Sequence, residues 1–168
     1  MPKGLKETSS IIAVGAEVIE SAANTFTTAR VDLQLNPLDN EVFVVYAVDL
    51  DVLEPSNLPG LTTTIKASIS STLRTDVGNL AQSNVLAINR ITIQDNGVTA
   101  TRGQFGSDSA PGTQLDYLAI ISTNDFFVNI EGGNNALARS ATCRVYGVRA
   151  KADSSIYAAL VQSELLSA

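Results

Sequence analysis

The chain has 168 residues, a net charge of −6 and only 17% charged residues against 45% hydrophobic ones. That is long enough for one sizeable core and too apolar for global disorder, and it leaves a surface made mostly of Ser, Thr, Asn, Gln and Gly. With no histidine and one cysteine, Cys143, the chain cannot build Ser-His-Asp or Cys-His catalysis, a His-based metal centre or an internal disulfide.

The opening MPKGLKETSS has no apolar run after its lysines and is not a signal peptide. No stretch of about 18 apolar residues is present, so no membrane span is expected, and no Asn-x-Ser/Thr glycosylation site occurs. These features point to synthesis in a cytosol without general secretory export. The only basic side chains before Arg30 are Lys3 and Lys6, set against Glu7, Glu17 and Glu20. This is not a basic arm, and direct nucleic-acid contact is not expected. The stretch SSIIAVGAEVIESAAN reads either as a strand or as an arm lying on a neighbour, and residues 1–24 are set apart as an N-terminal arm.

From there period-2 alternation dominates. Thr27, Ala29, Val31, Leu33 and Leu35 share one strand face, and Arg30, Asp32, Gln34 and Asn36 the other. PLDNE turns the chain into EVFVVYAVDLDV, residues 41–52. Its even positions, Val42 to Val52, form an unbroken apolar face expected to meet a partner sheet. Its odd positions begin with Phe43 and Val45 and end at Asp49 and Asp51. Phe43 and Val45 therefore need a second cover, from the N-terminal segment, the C-terminal helix or a neighbouring subunit. After the EPSNLPG loop, TTTIKASISSTLR points Thr63, Ile65, Ala67, Ile69 and Leu73 inward, with Thr64, Lys66, Ser68, Ser70 and Arg74 outward. Residues 75–84 are a polar excursion with room for one helical turn. VLAINRITIQ, the turn DNG at 95–97 and VTATRGQF form a hairpin. After the loop GSDSAPGTQ, LDYLAIIS and FFVNIEGG make a second pair, or one long strand bent at Asn124-Asp125.

In the final strand, SATCRVYGVRAKA, apolar parity changes after Gly147. A one-residue bulge at Gly147 would return Val148 and Ala150 to the side of Cys143 and Val145, and would gather Arg144, Tyr146, Arg149 and Lys151 outside. Asp153 then reads as the N-cap of a short helix whose apolar stripe is Ile156, Leu160, Val161 and Leu165. About three turns of helix are not stable alone, so this one must dock. The expected fold is all-β: an eight-stranded antiparallel jelly-roll sandwich over 25–152, with the arm before it and a helical tail over 153–168. An immunoglobulin-like sandwich is the alternative.

Few residues point to chemistry. Cys143 reads as a small buried hydrophobe. GSDSAPG is not a nucleophile elbow, and no base accompanies it. No Gly-rich phosphate cradle exists. Asp49, Asp51 and Glu54 offer hard oxygen ligands for Ca²⁺, although a solvated acidic rim explains them as simply. A carboxylate-only hydrolase would need a facing pair such as Asp49 with Asp51 or Asp108 with Asp116. A carbohydrate platform would fall to Tyr46, Tyr117 and Tyr146, since the chain has no Trp. No cofactor is expected.

In strand count, loop placement and tails, and above all in DYLAIISTNDFFVNIEGGNNALARSATCRVYGVRAKA, the chain resembles the small single jelly-roll capsid proteins of tailless icosahedral viruses and phages. The resemblance implies a non-enzymatic virion protein that assembles with copies of itself into capsomers and a shell. It also implies contacts with other capsid or membrane-associated virion proteins, since the basic genome-binding arm of many such proteins is missing. A tail or fibre component, or a carbohydrate- or cell-surface-binding module, is the alternative. Contact residues expected on this reading are Phe43, Val45, Arg144, Tyr146, Arg149, Lys151, Tyr157, Leu160 and Leu165.

Overall fold

In the computed structural model, which describes residues 1–107, 112 and 115–167, the chain forms two five-stranded antiparallel sheets and one helix. The strands are β1 (Leu5–Glu7), β2 (Ile12–Ile19), β3 (Thr27–Asp32), β4 (Glu41–Val52), β5 (Thr62–Ser70), β6 (Val85–Asp95), β7 (Ala100–Gly106), β8 (Ala119–Ile121), β9 (Asp125–Gly133) and β10 (Ser140–Ala152). The helix α1 spans Ser154–Leu166. The first sheet places β1 and β2 end to end along one side of β10, followed by β4 and β8; the second runs β3-β9-β5-β6-β7.

The pairing is nested. β1 and β2 pair with β10, β3 with β9, β4 with β8, and β5 with β6. From β2 to β5 and again from β7 to β10 successive strands alternate between the sheets, with β5 and β6 paired at the turn of the ribbon, as in a long antiparallel ribbon rolled onto itself, which is the jelly-roll arrangement. The expected all-β sandwich is therefore the fold, with two changes of membership. The segment assigned to an arm supplies the first strand of the roll, because Ile12, Val14, Ala16 and Val18 alternate inward against β10. β7, counted among the eight, is instead an addition at the outer edge of β6. β8 and β9 are separate strands in different sheets, not one bent strand.

The central ladder decides which side chains lie inside. β10 and β4 shift register once, where Tyr146 faces Ala47 and Gly147 faces Val45. Tyr46 is the extra residue, so the bulge lies in β4 and not, as expected, in β10. β10 keeps strict alternation: Cys143 and Val145 enter the core between the sheets, and Val148 and Ala150 stay on the outer face. The bulge reverses the expected faces of β4 before Tyr46 and leaves them as expected beyond it. Phe43 and Val45 meet the opposite sheet, with Val48 and Val52 beyond the bulge, while Val42 and Val44 turn outward. That outer patch is itself fully buried, packed against Leu5, Tyr117, Ile120, Tyr157 and Leu160.

The expected outward row splits for the same reason. Arg144 and Tyr146 stay on the outer face, whereas Arg149 and Lys151 have the opposite parity. Arg149 donates to the Leu33 and Gln34 carbonyls at 2.8 and 3.0 Å and pairs with Glu41 at 3.2 Å, and Lys151 pairs with Asp39 at 3.0 Å. Two further expectations fail on the second sheet. Ser68 and Ser70 are buried, not outward, because the 75–84 excursion folds over them without forming a helix, and Ser68 Oγ donates to the Val77 carbonyl at 2.7 Å. Leu73 is exposed because the strand ends at Ser70.

Candidate assembly surfaces

Asp153 caps α1, accepting from the Ile156 amide at 2.9 Å, as its position before the apolar run predicts. The helix lies on the outer face of the first sheet through Tyr157 and Leu160. The expected stripe has the wrong phase at its end. Leu165 is 61% exposed, and its neighbour Glu164 is buried instead. The Glu164 carboxylate accepts from the Ser122 and Thr123 amides at 2.8 and 3.0 Å, from the Thr123 hydroxyl at 3.1 Å and from the Ser122 hydroxyl. It ties the helix to the β8–β9 turn. Sequence patterning missed it because a Glu beside two leucines reads as the solvent face.

At the outer edge of the second sheet, all seven residues of β7 are exposed. Its neighbour β6 buries Ile91 and Ile93, but the second sheet extends past the first at this edge, so β7 overhangs with solvent on both faces. Arg102 pairs with Glu54 at 2.9 Å, and Arg90 stacks on the Phe105 ring at 5.2 Å. A strand with no apolar face, VTATRGQF, is the signal that could have marked it. Beside it opens a cleft of about 300 Å³ lined by Asp49, Asp51, Asn89, Gln104 and Ser107 among others. The cleft exists because β8 pairs only with Phe43–Val45, leaving the rest of that β4 edge open. Asn89 Nδ2 donates to the Leu50 carbonyl there at 2.9 Å.

The expected site residues disperse. Phe43 and Val45 are 2% and 0% exposed in the core and cannot be contacts. Tyr157 and Leu160 face the sheet, while Arg144 and Leu165 are open to solvent. Asp49 and Asp51 line the cleft, but Glu54 is drawn to Arg102, and among the described residues no three His, Cys, Asp or Glu side chains group as a metal site would need. Asp108 lies outside the described residues, so the pair with Asp116 has no geometry. Tyr46 and Tyr117 pack in the outer cluster. The Tyr46 hydroxyl pKa is raised, first by burial and then by the charges of Glu7 and Asp116.

Burial pushes the Cys143 thiol up to about 11, the reverse of what a nucleophile needs. A thiol reagent at neutral pH should leave Cys143 unmodified in the folded chain and react fully in denaturant. Rapid labelling of the native protein would contradict this placement.

No protein-family model matches the chain, and no curated protein matches it. Among solved structures, a Desmodium yellow mottle tymovirus chain is similar over 90% of this chain and 92% of its own length, at 12% identity and a TM-score of 0.32. The tailspike protein gp49 of Acinetobacter baumannii bacteriophage Fri1, a capsular polysaccharide depolymerase, is similar over 71% of this chain at 11% identity and a TM-score of 0.18, and this chain spans 19% of its length. Similarity this low does not carry a functional argument.

Proposed function

We propose that the chain is a virion structural protein, a capsid subunit that packs against copies of itself and performs no catalysis. The observation that carries this reading is the set of large apolar side chains left in solvent on loop tips and on the end of α1. Leu38 is 93% exposed, Val98 90%, Leu166 79% and Leu137 69%. Scattered single leucines are ordinary, but here they project from both ends of a rigid sandwich, where neighbouring subunits would meet. Among jelly rolls, capsid proteins, lectins and cupins are the main kinds. The chain lacks the histidines a cupin metal site uses, and its tyrosines Tyr46 and Tyr117 are packed rather than offered as a platform. The acidic balance, with Lys3 and Lys6 the only basic side chains in residues 1–29, favours genome contact by another virion protein or an internal membrane between shell and genome.

The polar cleft at Asp49, Asp51, Asn89 and Gln104 favours one second reading, a module that binds a polar ligand such as a carbohydrate. Light-scattering mass across protein and salt concentration, with negative-stain images of the same samples, separates the two. Rings, sheets or shells support the capsid reading. A monomer in every condition that also binds on a glycan array would replace it with the second.

A further inference from the structure

We propose that β7 is a self-complementary edge, through which two copies of the chain join antiparallel about a two-fold axis at Gly103 and fuse their sheets into one. The proposal rests on the assembly reading and names one of its contacts.

The phase of the β6–β7 ladder sets which backbone groups are available. The Asn96 amide donates to the Thr99 carbonyl at 3.2 Å and the Ser107 amide to the Ile88 carbonyl at 3.0 Å. With Thr92 opposite Gly103, Thr101, Gly103 and Phe105 exchange bonds with β6, and alternate residues turn the other way. Ala100, Arg102, Gln104 and Gly106 therefore direct N–H and C=O groups off the sheet. Among the described residues no strand pairs with that side. Protected edges carry a lysine, a proline, a bulge or a covering loop. Among the described residues the only such protection is the charge of Arg102, and Glu54 already neutralises it.

A two-fold axis at Gly103 uses this edge completely. Arg102 falls opposite the partner's Gln104 and Ala100 opposite the partner's Gly106, so every outward N–H and C=O between them finds a reciprocal partner. The side chains agree with the backbone. Arg102 meets a neutral amide, the same group it already contacts within its own chain at 3.1 Å. Thr101 meets the partner's Phe105, a β-branched–aromatic pair. Gly103 meets the partner's Gly103 at the position of closest approach, and a Cβ there would touch nothing within 4 Å in the monomer. Moving the axis to Arg102 sets two guanidinium groups face to face. Moving it to Gln104 strands Ala100. Two short strands bury less than the roughly 1,200 Å² of a stable interface, so the contact is a weak one that operates within a larger assembly.

The test uses position 103, which is open in the monomer and central in the dimer. The variants Gly103→Lys and Gly103→Asp are each compared with the native chain by sedimentation and light-scattering mass, with circular dichroism to check folding. The native chain should show a concentration-dependent dimer. Each variant alone should weaken it about tenfold or more, because like charges meet across the axis. An equimolar mixture of the two should restore it. Gln104→Pro, which removes an outward N–H at no cost to the β6 ladder, should also give monomers. If the native chain assembles and Gly103→Lys assembles equally well, the pairing is overturned while the capsid reading stands. If the native chain is a monomer at every concentration, the pairing is overturned and the edge is left to a strand of a different chain, while the capsid reading falls only if that monomer also binds on the glycan array.

Discussion

Gly147→Ala should be the most damaging single methyl in the sandwich. A Cβ built at Gly147 lies 2.3 Å from the Val44 carbonyl oxygen and 2.8 Å from two atoms of the Phe43 ring. The carbonyl belongs to the bulged stretch of β4, which is fixed by its pairing with β10 on one side and β8 on the other. It cannot swing aside as a side-chain terminus would. The expected cost is about 3 kcal/mol or more, at the upper end of overpacking penalties, out of a total stability of about 5–15 kcal/mol. Gly15→Ala is the control, because its Cβ would sit 3.9 Å from the Cys143 carbonyl, an ordinary contact. Urea unfolding of both variants decides the matter. A Gly147→Ala midpoint equal to that of Gly15→Ala would mean that β4 does not pass as close to β10 as described. Combining it with Phe43→Leu should recover only part of the loss, since the ring is relieved and the carbonyl is not.

The same crowded point explains how far the sequence could be read. Alternation located β4, β5, β6, β9 and β10, and DNG marked the β6–β7 turn, because each of these is a local pattern set by one chain segment. The bulge is not local. A parity change after Gly147 is consistent with an extra residue in β10 or with a change of cover on its outer face. The second is what occurs: Val148 and Ala150 point away from the sheet-to-sheet core and are buried by other elements. The unbroken apolar run in β4 has the same origin. Both of its faces are covered, one by the opposing sheet and one by a cluster that includes Tyr157 and Leu160 of α1. Pattern alone cannot say which residues belong to which cover.

β2 and β7 show the converse difficulty. β2 has small residues at Ala13, Gly15 and Ala16 and a weak alternation, so pairing with β10 rather than propensity makes it a strand. β7 has turn-friendly residues and no apolar face, yet the hairpin turn delivers it to β6. Its exposure, which makes it a candidate contact surface, follows from where the first sheet ends; the missing apolar face agrees with that exposure but does not say which sheet edge is left uncovered.

Glu164 is the second position where one substitution should have a large effect, and here the consequence should be regional. Replacing Glu164 with Ala leaves the Ser122 and Thr123 amides without their acceptor beneath the helix, and each unsatisfied buried donor costs about 1–3 kcal/mol. The helix is about three turns long and has no stability of its own. It should therefore detach instead of rearranging, uncovering Val42, Val44, Val148 and Ala150, which are 0% exposed in the docked state. The expected result is a loss of about 2–5 kcal/mol, with faster amide exchange concentrated in 154–166, binding of a hydrophobic dye, and a protein prone to non-specific aggregation. Leu165→Ala, one residue on and in solvent, should change stability by no more than about 0.5 kcal/mol. Glu164→Gln keeps one carbonyl acceptor and should fall between the two. If Glu164→Ala unfolds with the native midpoint and unchanged exchange in the helix, apolar packing by Tyr157 and Leu160 holds α1 in place without the carboxylate. The anchoring also bears on assembly. A helix held near its C-terminal end by Glu164 and joined directly to β10 at its start, where the Asp153 amide donates to the Gly4 carbonyl at 3.4 Å, presents Leu165 and Leu166 at a fixed place on the surface, as the proposed contact between subunits requires.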